Sequence, residues 1–252
     1  MGAKIYQNKK YIAFFLIPAF VFMLIFLYYP FIQNIINSFQ HIKYMGTAAD
    51  KWNAPFYKNY LEIFKDPKML IALKNTGIMI IATIVGEVGL AIVLSLLVSN
   101  IKKGAGFFRV VYFFPIVISA TALGLLFNLV FLYDKGMINQ LLQLIGVLDA
   151  GKNELIDWKA THPMFTMLVP VIWQYVGFYF IILLTGLSGI PEDLYEAAEI
   201  DGASKLQQVR YVTLPLLRNS ICTCVVLAVT GALKVFDLPW TMFVNGMSNT
   251  WL

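Results

Sequence analysis

The sequence predicts an all-α, polytopic membrane protein, and three observations carry that prediction. Of 252 residues, 59% are hydrophobic and only 13% charged, about half the charged share of an ordinary soluble domain. The mean hydropathy is +0.72. The 20 Phe, 13 Tyr and 5 Trp are spread through long uncharged runs, and a run of about 20 apolar residues is what a helix needs to cross a bilayer.

Five such runs follow one another. The first, 11–38, opens with an uncharged stretch after Lys9 and Lys10. It is too long for a signal-peptide apolar region, and no small-x-small cleavage site follows. It is expected to remain as a span, with Pro30 as a kink or interface residue. The second, 70–98, contains one acid, Glu87. The third, 107–133, contains Pro115, and the fourth, 163–190, has no charge. The fifth covers 214–236. Between the first two lies an amphipathic, turn-rich segment. Between the third and fourth lies a polar one whose "GMINQLLQLIG" suits a helix in the membrane interface.

Counts of Lys and Arg are nearly balanced across the membrane, so the positive-inside rule does not set the orientation. Two details favour an N-terminus on the inside. The loop "NIKKGAGFFR" holds three bases and no acid, and Arg109, Arg210 and Arg218 all fall on that side. The segment 191–213 is then cytosolic.

That segment reads as helix, turn, helix. Pro191 suits a first helical turn, where Glu192 and Asp193 complement the dipole. The first helix is expected to reach about Asp201 and end on a left-handed Gly202. Ser204 and Gln207 have the spacing of a capping box. Pro215 is expected to end the second helix and start the fifth span. Small Ala197 and Ala198 let another surface approach the backbone closely. A helical knob that docks into a partner and a solvated loop both fit these residues.

"EAAEIDGASKLQQVRYVTLP" resembles the Glu-Ala-Ala loop of permease subunits of binding-protein-dependent ABC importers. The match runs through Glu196, Ala197, Ala198, Gly202, Val212, Leu214 and Pro215. "ALKNTGIMIIATIVGEVGLAIVLSLLVS", "FFRVVYFFPIVISATALGLLF", "GMINQLL", "GLSGIPEDLYEAAEIDGAS" and "KVFD" are similar to the carbohydrate-type branch, so the likeness covers nearly the whole chain. It implies a helical ABC importer permease in a bacterial inner membrane. It implies that Glu196, Ala197, Ala198, Asp201 and Gly202 fit a cleft in an ATPase subunit. It further implies a homologous second permease, two ATPase subunits that bind ATP and Mg, an extracytoplasmic solute-binding protein, and a sugar or oligosaccharide as solute. The branch usually carries a sixth span after "KVFD", and a Gly-Gly-Gly-Pro where this sequence has "NGMSN". Set against that pattern, five spans are expected here, and the sixth is expected to be either cut off by truncation or absent.

A charge inside a span is costly and usually faces a cavity or a partner. Thr76, Thr83 and Glu87 share one face of the second span at helical spacing, and Asn219, Thr223, Thr230, Lys234 and Asp237 share one face of the fifth. The fourth adds Trp173, Gln174, Tyr175 and Tyr179. Aromatic faces beside hydrogen-bonding groups are what a sugar site uses. The same residues also suit interhelical hydrogen bonds or an interface belt, and Lys234 with Asp237 suits an i, i+3 pair.

Other chemistry is excluded or weak. No Gly-x-x-x-x-Gly-Lys loop is present, so this chain does not hydrolyse ATP by that route. It reads as a transport subunit, not an enzyme, with no cofactor of its own. His41 and His162 lie far apart in sequence and make no metal-ligand spacing. Cys222 and Cys224 are too few to close a tetrahedral site and read as small buried side chains. The net charge of +5 sits between the spans, which fits topology better than nucleic-acid binding. An importer of glycerol-phosphate, polyamine or phosphate, or a membrane scaffold whose loop binds a soluble partner, are the alternatives.

Overall fold

A computed structural model of the chain describes residues 9–44, 46–47, 49–101, 104–149 and 154–243. Lys102, Lys103 and the "NGMSN" segment lie outside them. The chain divides into two compact units between Leu70 and Ile71.

The first unit opens with helix α1 (Lys9–Ser38), apolar on every side and with none of its most apolar stretch buried. The helix runs on through Pro30. A proline lacks an N–H and clashes with the carbonyl four residues back. Here a π-turn over Leu24–Tyr28 supplies one extra residue just before it, and the Tyr29 N–H reaches back to the Leu24 carbonyl. After α1, β1 (Gln40–His41) pairs antiparallel with β2 (Lys51–Trp52), His41 opposite Lys51, and α2 covers Lys58–Lys65. Asn59 organises this segment: its Nδ2 donates to the carbonyls of Ser38 at 2.9 Å and Gln40 at 3.1 Å.

The second unit takes in most of α3 (Pro67–Ser99), followed by α4 (Ala105–Val117), α5 (Ala120–Val130), α6 (Met137–Leu144), α7 (Trp158–Thr161) and α8 (Pro163–Ser188). Then come α9 (Asp193–Ile200), α10 (Lys205–Leu216), α11 (Arg218–Lys234) and α12 (Asp237–Met242). Among the described residues α1, α3 and α8 are each long and apolar enough to cross a membrane, and the count reaches five if each bent pair is one span.

Those bent pairs correct two expectations. The third apolar run is not one straight helix, because α4 and α5 meet at 96°. Pro115 lies in a tight turn over Phe114–Val117, and the Ser119 hydroxyl accepts from the Ala122 N–H at 3.3 Å to start α5. The Ile118 carbonyl freed at the break takes a hydrogen bond from Gln174 Nε2 at 3.1 Å. A break at membrane depth is tolerated only with such a partner. The second correction concerns Pro215, which does not end its helix. A π-turn over Val209–Thr213 precedes it and α10 continues to Leu216. The 68° bend to α11 falls one residue later.

Two apolar clusters hold this unit. Val88, Ala91, Phe180, Leu183 and Cys224 join α3, α8 and α11. Met79, Leu123, Phe127, Met167 and Leu238 join α3, α5, α8 and α12. In lipid, helices associate by close packing rather than by hydrophobicity, so small residues mark the crossings. Of the two cysteines, Cys224 is buried as expected, whereas Cys222 is exposed on the outer face of α11.

The "GMINQ" segment forms a polar knot. Asn139, 1% exposed, donates from Nδ2 to the carbonyls of Tyr133 at 3.1 Å and Ile156 at 3.0 Å, and its Oδ1 accepts from Trp158 Nε1 at 2.9 Å. Asn139→Leu strands all three groups and is expected to cost roughly 3 kcal/mol. Thermal unfolding of the purified protein checks this. A midpoint equal to wild type would leave the knot without a stabilising role.

Candidate functional site

A cavity of about 360 Å³ opens between α3, α8 and α11, with Ile116 of α4 and Ala120 of α5 also in its wall. Its walls are mainly apolar, and the polar groups converge from three directions. Thr83 and Glu87 come from α3, Gln174, Tyr175 and Tyr179 from α8, and Lys234 and Asp237 from the end of α11 and the start of α12. Glu87 is 3% exposed and sits in a π-turn over Ile84–Gly89. Such turns inside a helix are frequent at functional sites. Its carboxyl group faces the Tyr179 hydroxyl across the cavity wall they share. Gln174 spends its amide N–H on the Ile118 carbonyl, which leaves its oxygen as an acceptor.

The structure therefore brings Glu87, Gln174, Tyr175, Tyr179, Lys234 and Asp237 to one cavity. It does not bring Asn219, Thr223 or Thr230 there. All three are exposed, the Thr223 hydroxyl returns to the Asn219 carbonyl at 3.0 Å, and that of Thr230 returns to Val226. Helical spacing placed them with Lys234 and Asp237, but α11 stops at Lys234. Val235 is extended, and Asp237 opens a new helix. The same break removes the i, i+3 geometry, and no ion pair joins Lys234 to Asp237 among the described residues. Thr76 bonds its own helix at Ala72, and Trp173 packs edge-on against Phe127 at 5.9 Å. Gly231, Ile116 and Phe178 also line the cavity, and nothing in an apolar run distinguishes such residues beforehand.

The second feature is the α9–α10 pair. Gly202 has φ +77°. The Ala203 N–H bonds the Ala198 carbonyl at 2.9 Å and the Gly202 N–H bonds that of Glu199 at 3.0 Å, a left-handed helix stop. Ser204 and Gln207 form the reciprocal capping box. Lys205 pairs with Glu199. That contact, joined by Gln208, holds the Glu199 carboxyl below its usual range. A carboxylate lowered in this way makes its contribution at neutral pH and loses it as the pH falls through that depressed value. Glu196, Ala197, Asp201 and Gly202 are exposed and Ala198 is half-buried. Ile200 is 87% exposed and Leu206 78%. These two apolar side chains at the tip were missed in the sequence, although apolar residues in a short charged helix are a signal for contact with a partner. Behind the pair a polar cavity of about 930 Å³ is lined by Arg109, Glu192, Glu196 and Gln208, among others.

Long apolar helices around a part-polar cavity, with a charged helix pair beside them, describe a multi-pass membrane protein with room for a solute. Residues 89–252 match the family model of the binding-protein-dependent transport system inner membrane component. The chain belongs to that family. It is 34% identical over 242 residues to a probable ABC transporter permease protein of Bacillus subtilis, covering 95% of this chain and 81% of that protein. It is 32% identical to an arabinooligosaccharides transport system permease protein of Halalkalibacterium halodurans, covering 96% of this chain and 74% of that one. Its fold is similar to a bacterial ABC transporter involved in the import of the acidic polysaccharide alginate, with TM-score 0.75 and 20% identity over 95% of this chain and 82% of that one.

Proposed function

We propose that this chain is the membrane-spanning subunit of an ATP-driven importer. It moves a neutral sugar or oligosaccharide, delivered by an extracytoplasmic solute-binding protein, into the cytosol by alternating access. The cavity is the observation that carries the reading. Its volume falls in the range of small-molecule sites, and tyrosine faces stand beside separate hydrogen-bonding groups. Two carboxyl groups and one ammonium line it, which suits neither a phosphate nor a polycation. Relatives named for arabinooligosaccharides, diacetylchitobiose and lactose support the same class.

In this reading the cell membrane is a bacterial inner membrane, and 191–213 is cytosolic. Glu196, Ala197, Ala198, Asp201 and Gly202 form the coupling surface, with Ile200 and Leu206 as its apolar anchors. Two ATPase subunits bind ATP and Mg and supply the free energy. A homologous second permease completes the path, and the exposed Asn219, Thr223 and Thr230 stripe of α11 is suited to face it.

The test is uptake against concentration in the assembled complex, with arabinotriose, lactose and diacetylchitobiose as probes. Lys234→Met is expected to raise half-saturation about tenfold, the loss of one hydrogen bond from a charged donor. Thr230→Val is expected to leave it unchanged. Equal half-saturation for Lys234→Met and wild type would remove the cavity from the path.

A further inference from the structure

A line of polar contacts runs from the segment before α8 to the helix that closes the cavity. Lys159 in α7 donates from Nζ to Asn128 Oδ1 on α5 at 2.8 Å. Asn128 donates in turn from Nδ2 to the Thr241 carbonyl on α12 at 3.1 Å. The first residues of α12, Asp237 and Leu238, are cavity wall. The neighbour of Lys159 is Trp158, fixed by its bond to buried Asn139. The ammonium therefore reaches out from an anchored base.

Two details bear on what this contact does. Lys159 is half-buried, and no ion pair joins it to a carboxylate among the described residues. A partly desolvated cation held by a neutral amide is an expensive way to gain stability. The second detail is the surface beneath Thr241. A Cβ on Gly124 would come within 2.0 Å of Thr241 Oγ1, so α12 lies on bare backbone of α5 at that point. Leu123 and Phe127 of α5 pack against Leu238 and Met242 of α12 on either side of it, and the amide of Asn128 adds the directional hydrogen bond across the contact.

We propose that Lys159 is a positioning residue for transport: it orients Asn128 so that its amide latches α12 closed over the end of the cavity that faces the binding protein. The proposal rests on the transport reading above. Opening that end requires the Asn128–Thr241 bond to part. Freeing Asn128 from Lys159 lets the amide turn away.

The experiment uses the whole complex in nanodiscs without solute, in a Cys222→Ser, Cys224→Ala background. A cysteine introduced by Thr241→Cys reports opening through its rate of reaction with a charged methanethiosulfonate. The latch bond is made by the backbone carbonyl and survives this change. Lys159→Met is expected to speed modification about tenfold, the size of one hydrogen bond from a charged donor, and to raise solute-free MgATP hydrolysis in step. Lys159→Arg, which keeps a donor, is expected to restore both. A Lys159→Met complex with a lower unfolding midpoint but wild-type modification and hydrolysis rates would overturn the latch and leave packing. A wild-type complex whose hydrolysis does not respond to its binding protein with arabinotriose, lactose or diacetylchitobiose would overturn the transport reading, and the latch with it.

Discussion

Gly202→Val is expected to abolish solute-stimulated ATP hydrolysis in the assembled complex while the spans still insert. Gly202 holds φ +77°, and a Cβ there would meet no atom within 4 Å. The whole cost is therefore in the backbone, on the order of 1–2 kcal/mol for an L-residue in this conformation and more for a β-branched one. That is enough to depopulate the turn by roughly tenfold or more. The two bonds that close α9, from Ala203 to Ala198 and from Gly202 to Glu199, depend on the turn, and so does the presentation of Ala197, Ile200 and Leu206. No transmembrane contact is touched, which is why insertion should survive. Gly202→Asn is the control, since asparagine tolerates this conformation and should keep most of the stimulation. Hydrolysis with and without binding protein and solute decides it: full stimulation in Gly202→Val would show that the α9–α10 turn does not couple.

Gly177→Ala is expected to do the reverse, damaging the membrane core and leaving the helix pair alone. A Cβ on Gly177 would lie 1.7 Å from the Tyr112 carbonyl oxygen, 2.3 Å from its carbon and 2.9 Å from the Phe113 nitrogen. These are backbone atoms, so no rotamer relieves the clash. Ordinary contact is near ~3.5 Å, so α8 must move off α4 by well over an ångström. The expected cost is about 3 kcal/mol, the upper end for overpacking. The same displacement disturbs two contacts of α8: Phe180 against Tyr112, with rings 5.3 Å apart, and Gln174 on the Ile118 carbonyl. Gly77→Ala, where a Cβ meets nothing within 4 Å, should be neutral. Unfolding midpoints of the two variants check this, and equal midpoints would refute close approach of α8 to α4 at Gly177.

What the sequence conveys here is one-dimensional. Long apolar stretches, the acid in the second of them, and the cap residues around Gly202 and Ser204 are local signals, and each leads to the element observed. The breaks after Val117, at Leu217 and at Val235 are harder to read: Pro115 and Ser119 mark the first locally, but the contact that satisfies it is distant. The first is held open by Gln174, whose partner Ile118 is 56 residues away, and no window along the chain contains both. The site divides in the same way. Glu87, Gln174 and Tyr179 stand out as polar groups in apolar surroundings, and the cavity collects them. Asn219, Thr223 and Thr230 stand out equally, yet face away. Periodicity shows that a helix has a polar side and is silent on whether that side meets its own chain.

The π-turn at Ile84–Gly89 has a meaning in the language of genes. A π-turn is an α-helical turn carrying one residue too many, and on an α-helix one residue is about 100° of rotation. Removing a single codon from this turn would let the helix close up as ordinary α while the segments on either side keep nearly their present facing. The side chains of the turn itself, Glu87 among them, would change their facing, while Met79 and Thr83 would keep theirs. The lining of this cavity is thus tied to reading-frame-preserving insertions and deletions of one triplet, and not only to which side chain each codon specifies.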